Sequence, residues 1–540
     1  MFNQADLWER VAALDPDADA LLHGDLVRSW GEFEDRSARL AAAFAAAGVG
    51  TGDKVANYLH NGPEYLESEF AAFKQRAIPC NVNYRYLTDE LRYLLDNADA
   101  AVVLADADLI ARVLEVRADL PELRLVIQVG DGDAPPGVER YEDLLAAHAP
   151  AAPIERSAAD HWFLYTGGTT GHPKAVMWAH SALINAMSGE YTAQKRDLPA
   201  DVDDALDVVR SVRERGRTDR VMAAAPLMHG TSSIIAKRTF CFGGAVATMP
   251  ERSFDPALLF DAVGQQRITR LTVVGDAFCK PMIAELDRRR DAGDPHDLSS
   301  LRQIVSSGLM WSSESKQALL GHADITLIDT LGASEGVGFG VQVSKRDTVQ
   351  TERTAKFVLG PNAAVVREDG TPVERGGGEV GKLAVGGVLP DGYYKDPEKT
   401  AATYPIINGT RWAIPGDFAT VEEDGTINLL GRGSVSINSG GEKVFPEEVE
   451  EALKLHPAVL DANAVGVPDD RWGQAVCGVV AIDPAAEVDD DELIAAVKTH
   501  IAPYKAPKQI VRVERFLRSP NGKSDYRWAR QAALDALGLD

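Results

Sequence analysis

Cysteine is scarce: four stand among 540 residues, at Cys80, Cys241, Cys279 and Cys477. No two of them share a Cys-x-x-Cys or Cys/His spacing, so a zinc site, a redox pair and a disulfide-stapled scaffold all lack the residues they require. Each sits among apolar neighbours, which reads as a buried free thiol in a reducing compartment. Positive charge is also short. Lys and Arg total 56 against 81 Asp and Glu, a formal charge of −25. So acidic a chain is a poor partner for DNA or RNA, and no nucleic-acid binding is expected. Anionic small ligands are not excluded, because a local cluster of Lys, Arg and backbone N–H groups can hold a phosphate against the net field. No run of 18 apolar residues occurs, so no integral membrane contact is expected. The opening MFNQADLWERVAALDPDADA lacks the basic-then-apolar order of a signal peptide, and a soluble cytoplasmic protein is expected. Internal repeats and low-complexity tracts are absent as well.

What is present is length and alternation. The chain has room for three or four domain-sized units, with ordinary apolar (45%) and charged (25%) fractions. Apolar spacing predicts a helix over 30–47 ending at Gly48, and another over 66–74. Strands are predicted over 54–58, 100–104, 125–129 and 162–164. Alternation of this kind predicts an α/β fold with a largely parallel sheet. Residues 195–220 are polar and densely charged, with little to offer a core. They read as a surface insertion or solvated helix and not as a binding patch. From about 355 to 432, Gly-bounded β runs predict a smaller β-rich subdomain. Beyond it, helices over 446–455 and 490–502 and strands over 465–467 and 475–482 predict a small α+β domain. The boundary is placed at 432–434, giving domains 1–432 and 433–540.

The most informative stretch is Tyr165-Thr166-Gly167-Gly168-Thr169-Thr170-Gly171-His172-Pro173-Lys174. It lies between a predicted strand and a helical segment at 179–188. Glycines let backbone N–H groups turn onto phosphate oxygens, threonine hydroxyls add donors, and Lys174 adds a positive charge. It is not a Walker A loop: Pro173 precedes the lysine and Ala175 follows it, so a P-loop NTPase is excluded.

This loop resembles the phosphate-binding signature of the adenylate-forming superfamily, which contains acyl-CoA synthetases, luciferases and peptide-synthetase adenylation domains. Further signatures follow in the family's order, and the resemblance covers essentially the whole chain. Pro226-Leu227-Met228-His229-Gly230 is similar to the element whose His or aromatic residue gates the acyl pocket; His229 on its own would read as a structural histidine. Ser306-Ser307-Gly308 resembles the segment beside adenine. Asp329-Thr330-Leu331-Gly332-Ala333-Ser334-Glu335 resembles the aromatic-Gly-x-Thr-Glu motif, in which Glu335 would hold Mg²⁺. Leu331 replaces the usual aromatic ring there, and Ser334 keeps the hydroxyl of the usual Thr. Gly416-Asp417 resembles the family's Thr-Gly-Asp with Pro415 in the Thr position, and implies ribose binding by Asp417. Gly431-Arg432 opens the hinge signature, with Arg432 as ribose or phosphate partner and Ser434 at a hinge position commonly Asp or Lys. Gly440-Gly441 resembles the loop bordering the pantetheine of CoA. Pro520-Asn521-Gly522-Lys523 resembles the C-terminal motif that carries the adenylation lysine, Lys523.

The resemblance implies a large N-terminal adenylate-forming domain of several subdomains and a small mobile α+β C-terminal domain. It implies an acyl-CoA synthetase of the fatty-acid–CoA ligase branch, using ATP, CoA and Mg²⁺. A stand-alone enzyme that loads a carrier protein is the alternative. The chain runs only 17 residues past Lys523 with no carrier domain, which favours free CoA. A silent nucleotide-binding protein is the third reading, opposed by Lys174, Glu335, Asp417 and Lys523 together. The expected acyl pocket (His229, Gly230, Val274, Gly308, Gly336) is small-residue and apolar. It suits a medium- or long-chain, branched, cyclic or steroid-like acid. Asn81-Val82-Asn83-Tyr84-Arg85-Tyr86 adds to the resemblance without naming a substrate. The oligomeric state is left open, a homodimer included.

Overall fold

The computed structural model describes all residues except 167–171, 194, 309–310, 348–355, 433–434, 440–441, 470–472, 519–523 and 540, and the side chains at 190, 193, 432, 438, 442 and 443. The chain forms two units, Met1–Arg353 with Gly386–Tyr404, and Thr354–Val385 with Pro405–Asp540.

The first unit is built on two sheets with parallel centres. In one, the parallel strands lie in the spatial order Thr326–Ala333, Gln303–Ser307, Arg270–Val273, Arg220–Ala223, Ala245–Thr248 and Asp19–His23. Antiparallel strands Gly336–Ser344 and Leu26–Ser29 flank it. In the other the parallel order is His161–Thr166, Ile78–Asn81, Lys54–Tyr58, Ala100–Asp106, Leu125–Val129 and Glu139–Arg140. Antiparallel Lys174–Ala179 and then Gly392–Tyr393 extend its first edge. Parallel sheets need both faces covered, and apolar clusters around Val103 and Leu271 fill the space between strands and helices.

The local chemistry explains the elements. Helix Trp30–Ala46 starts at a reciprocal capping box: Ser29 Oγ accepts from the Glu32 N–H, and Glu32 accepts from the Ser29 N–H. It ends before Gly48, which takes φ +71°. The helix predicted over 66–74 begins a turn earlier, at Pro63, because proline is pre-organised for the first helical position. The strand predicted over 100–104 runs to Asp106. All four cysteines are buried and free, and no helix among the described residues is long and apolar enough to cross a membrane.

Two expectations are corrected. The Gly/Thr loop does not run from strand into helix. Lys174–Ala179 is a strand that pairs antiparallel with His161–Thr166, with Thr166 opposite Lys174, and the helix His180–Ala186 follows only after it. The stretch 195–220 is not devoid of core. Val202–Glu214 is an amphipathic helix capped by Asp201, which buries Ala205, Leu206, Val208, Val209 and Val212. Its charges occupy the opposite face, so composition alone hid its periodicity.

The second unit holds an antiparallel sheet in the order Ala363–Val366, Gly381–Val385, Asp417–Val421, Thr426–Arg432 and Lys356–Leu359. It also holds the small α+β domain. There the long antiparallel pair Val459–Asp469 and Gly473–Ile482 is joined by parallel Gln509–Arg512 and covered by helices Pro446–Lys454, Asp490–Lys498 and Tyr526–Leu537. The fold class is the expected one: α/β, with a large N-terminal and a small C-terminal domain.

Candidate active site

The hairpin His161–Thr166/Lys174–Ala179 brackets residues 167–171, so Gly167, Gly168, Thr169, Thr170 and Gly171 lie outside the described residues. The two elements that flank this loop are both strands, so neither of them supplies a helix N-terminus to it. The Lys174 ammonium is paired with Asp396, whose carboxyl also caps helix Pro397–Thr403 by accepting from the Lys399 N–H at 2.9 Å. The hydrogen bond from Lys174, reinforced by that N–H, holds the Asp396 carboxyl below its usual range. His172 stacks on Tyr93, ring centroids 4.1 Å apart.

The hairpin also organises the Glu335 turn. Trp178 Nε1 donates to the Ser334 carbonyl at 3.0 Å. Strand Gly392–Tyr393 pairs with Lys174–Ala179, setting Tyr393 opposite Val176. From there the Tyr393 hydroxyl donates to Glu335 Oε1 at 2.7 Å, and the Tyr404 hydroxyl donates to the Glu335 carbonyl at 3.1 Å. Gly392 makes this possible. It takes φ +142°, and a Cβ there would stand 2.3 Å from Thr400 Cγ2. Glu335 is thus a half-buried carboxylate with one oxygen fixed and the other, Oε2, without a partner among the described residues. Such an oxygen suits a hard cation that takes its remaining ligands from phosphate oxygens. Among the described residues no group of three or more His, Cys, Asp or Glu forms a metal cluster.

The expected acyl and adenine segments converge from the carboxyl ends of the first sheet. His229 caps helix Gly230–Cys241 with extended backbone, and a Cβ on Gly230 would stand 3.2 Å from Leu164 of the hairpin. Val274 caps helix Gly275–Asp291, and the Gly275 N–H donates to Ser306 Oγ at 2.9 Å. Ser307 Oγ donates to the Thr330 carbonyl at 2.9 Å, and Thr330 Oγ1 to the Ser306 carbonyl at 3.1 Å. Gly308 turns away with φ +92°. Leu331 is half-buried opposite Gly340, Gly332 is exposed, and buried Gly336 pairs with Ala333. Beneath them Asp329 is buried against Lys316 Nζ at 2.7 Å; burial pushes its carboxyl up to about 6, opposed by the ammonium.

Asp417 and Arg432 belong to the second unit. They face each other across the antiparallel pair, so spacing in the sequence becomes cross-strand proximity. Ser434, Gly440, Gly441 and Lys523 lie outside the described residues.

Four contributors were not read as site residues. Asn81 is buried, and its amide accepts from the Tyr165 N–H at 2.7 Å while donating to the carbonyls of Tyr165 (2.9 Å) and Met228 (2.7 Å). One side chain thereby ties the strand entering the Gly/Thr loop to the residue before His229. Asn61 does the same for the Ala223–Leu227 turn, through bonds of 2.7 to 3.1 Å. The signal was available: an amide inside Ile-Pro-Cys-Asn must find partners when buried. Tyr393 and Asp396 left no signal, since their partners are 58 and 222 positions away.

Comparison with known proteins accords with this layout. The family model for AMP-binding enzymes matches residues 8–394, and that for the AMP-binding enzyme C-terminal domain matches 448–523. A 3-oxocholest-4-en-26-oate–CoA ligase of Rhodococcus rhodochrous is 39% identical over 553 aligned positions, covering 99% of this chain and 96% of that one. A medium/long-chain-fatty-acid–CoA/3-oxocholest-4-en-26-oate–CoA ligase of Mycobacterium marinum is 38% identical over 540, covering 98% and 96%. The solved benzoate CoA ligase from Burkholderia xenovorans LB400 shares the fold, with TM-score 0.79 at 22% identity over 98% of this chain and 100% of that one. The chain belongs to the AMP-binding enzyme family.

Proposed function

We propose that the protein is an AMP-forming acyl-CoA ligase acting on medium- or long-chain, branched or steroid-like carboxylic acids. The observation that carries this reading is end-to-end similarity to ligases named for such acids, 38–39% identical. Those names do not favour carrier-protein loading. The cytoplasm, which supplies ATP and CoA, is the compartment this reading implies.

A carboxylate resists a thiol because its charge repels nucleophiles and its oxygen leaves poorly. In the first half-reaction a carboxylate oxygen attacks the α-phosphorus of ATP, the Pα–O bond to pyrophosphate breaks, and an acyl-adenylate forms. In the second, the CoA thiol loses its proton and attacks the acyl carbon, and AMP leaves with the attacking oxygen. The protein's work is positioning and charge neutralisation. Residues 166–171 and Lys174 hold the pyrophosphate portion. Lys174 exchanges Asp396 for phosphate oxygens, so the ion pair keeps it oriented until ATP arrives. Ser307, Gly308 and the 331–334 segment border adenine, with Leu331 packing where a ring would stack. Asp417 and Arg432 take the ribose, and Lys523 bridges carboxylate and α-phosphate. His229, Gly230, Val274, Gly308 and Gly336 line the acyl side, and Gly440 and Gly441 admit pantetheine. The thiol must reach the carbon that Lys523 faced, so the C-terminal domain turns about Ser434 between the two steps. Mg²⁺ fits the open oxygen of Glu335, where it would offset phosphate charge.

Tyr393→Phe removes the donor that fixes Glu335 and leaves the fold. The Mg²⁺ concentration giving half-maximal adenylation is expected to rise about 3- to 10-fold, with the KM for the acid unchanged; an unchanged Mg²⁺ requirement would count against Glu335 as the cation's ligand. The substrate class is tested by kcat/KM for acetate, octanoate, palmitate and 3-oxocholest-4-en-26-oate. Each buried methylene contributes about 0.8 kcal/mol, so the long or steroid acids should exceed acetate by roughly 100-fold or more. A preference for acetate would overturn the assignment.

A further inference from the structure

The first unit contains a half-open polar cavity of about 440 Å³ at the end of the sheet opposite the site described above. It opens where Arg220–Ala223, Ala245–Thr248, Arg270–Val273 and Gln303–Ser307 begin, whereas the acyl and adenine segments lie where such strands finish. Four guanidinium groups line it: Arg213, Arg220, Arg267 and Arg302. Volumes of this order hold small metabolites, and the lining is polar, not apolar.

The charge balance favours an anion. Two carboxylates share the wall, Asp19 and Asp219, and both are already compensated. Asp19 is paired with Arg220, and Asp219 accepts from Arg270 at 3.0 Å and lies 3.4 Å from Arg238. Arg213 is matched by Asp15. Arg267 and Arg302 have no carboxylate within 4.0 Å among the described residues; the carboxylate that Arg267 does influence, Asp297, is more distant. Six guanidinium groups therefore answer four carboxylates here, in a chain whose formal charge is −25. Arg267 also sits at φ +53°, where the backbone favours Gly or Asn, so the turn itself gives no reason for an arginine.

We propose that this cavity binds a multiply charged phosphate-bearing small molecule, held by Arg267 and Arg302 with Arg213 and Arg220 behind them. Guanidinium forks match phosphate oxygens two at a time, and a dianion or higher is needed to offset two uncompensated arginines.

The test is arginine-specific labelling with phenylglyoxal, read peptide by peptide, on the full chain. Inorganic tripolyphosphate is one probe and AMP the other, separating a free polyphosphate from a nucleotide monoester. Tripolyphosphate is expected to slow labelling of Arg267 and Arg302 about fivefold or more and to leave exposed Arg375 unchanged. Stronger protection by AMP, itself a dianion, than by tripolyphosphate would assign the cavity to a nucleotide monoester and overturn a free polyphosphate as its ligand. Calorimetry on Lys174→Ala, which weakens the competing catalytic phosphate site, gives the affinity of this cavity. Adding Arg267→Asn and Arg302→Gln should weaken it about 100-fold. Both side chains are exposed, and asparagine suits the φ of 267, so the variant folds. Unprotected arginines, or an affinity indifferent to the two substitutions, would refute the site.

Discussion

Lys523→Ala is expected to lower ATP–pyrophosphate exchange by about 100- to 1,000-fold while leaving the thermal transition of the protein unchanged. The size follows from the lysine's assignment. A positive charge placed between an anionic nucleophile and the α-phosphate acts in the transition state, where no other group in the C-terminal motif can replace it. The residues bracketing that motif are anchored independently. Arg518 and Ser524 form a β-bridge, Arg518 Nε donates to Asp461 at 2.8 Å, and Ser524 Oγ donates to Asn463 Oδ1 at 2.9 Å. Truncating Lys523 breaks none of these. The second half-reaction needs a thiol and not an ammonium at the acyl carbon, so synthetic acyl-adenylate plus CoA should still give acyl-CoA. Exchange at wild-type rate would remove Lys523 from the chemistry.

Lys237→Met is expected to produce the largest loss of stability, about 3–5 kcal/mol. Lys237 and Glu69 are fully buried: the ammonium donates to both carboxylate oxygens at 2.7 Å and to Ser233 Oγ at 2.8 Å, and lies 4.3 Å from the Trp162 ring centroid. Burial raises the Glu69 carboxyl and lowers the Lys237 ammonium, each opposed by its partner. Each partner offsets the other's burial, so either group would fare worse alone. Methionine in place of the lysine leaves Glu69 charged and unpaired, or protonated at a cost. Lys237→Met with Glu69→Leu removes both charges and should recover more than half of the loss. Urea unfolding of the three proteins decides this. A single variant within about 1 kcal/mol of wild type, or a double variant worse than the single, would contradict it. The pair also ties together three elements, since Glu69 lies on helix Pro63–Lys74, Lys237 on the helix begun by Gly230, and Trp162, against the ammonium, on strand His161–Thr166.

Much of this arrangement was legible in the sequence, for identifiable reasons. The short run at 54–58 and the apolar, β-branched-rich run at 125–129 are predicted as strands, and the structure places strands there. Lys-Ala-Val-Met-Trp-Ala was not legible as a strand. Its pairing with 161–166 is that of a hairpin, and the glycines of the connecting sequence masked the return strand. Helix Val202–Glu214 was hidden because composition counted its charges while its buried face is a matter of phase. The proposed site motifs are each carried by one short segment, which is why the sequence can suggest them. Their supports were not legible, because Tyr393, Asp396 and Asn61 act across folds of the chain that no local pattern records.

The acid is expected to pass through an acyl-adenylate before reaching CoA. The most direct measurement supplies a preferred acid with both carboxylate oxygens as ¹⁸O, together with ATP, Mg²⁺ and CoA, and reads the products by mass spectrometry. One ¹⁸O in AMP, one in the acyl-CoA and none in pyrophosphate is the predicted result, since the attacking oxygen stays on phosphorus when the thiol displaces AMP. Unlabelled AMP, or label appearing in inorganic phosphate, would contradict it.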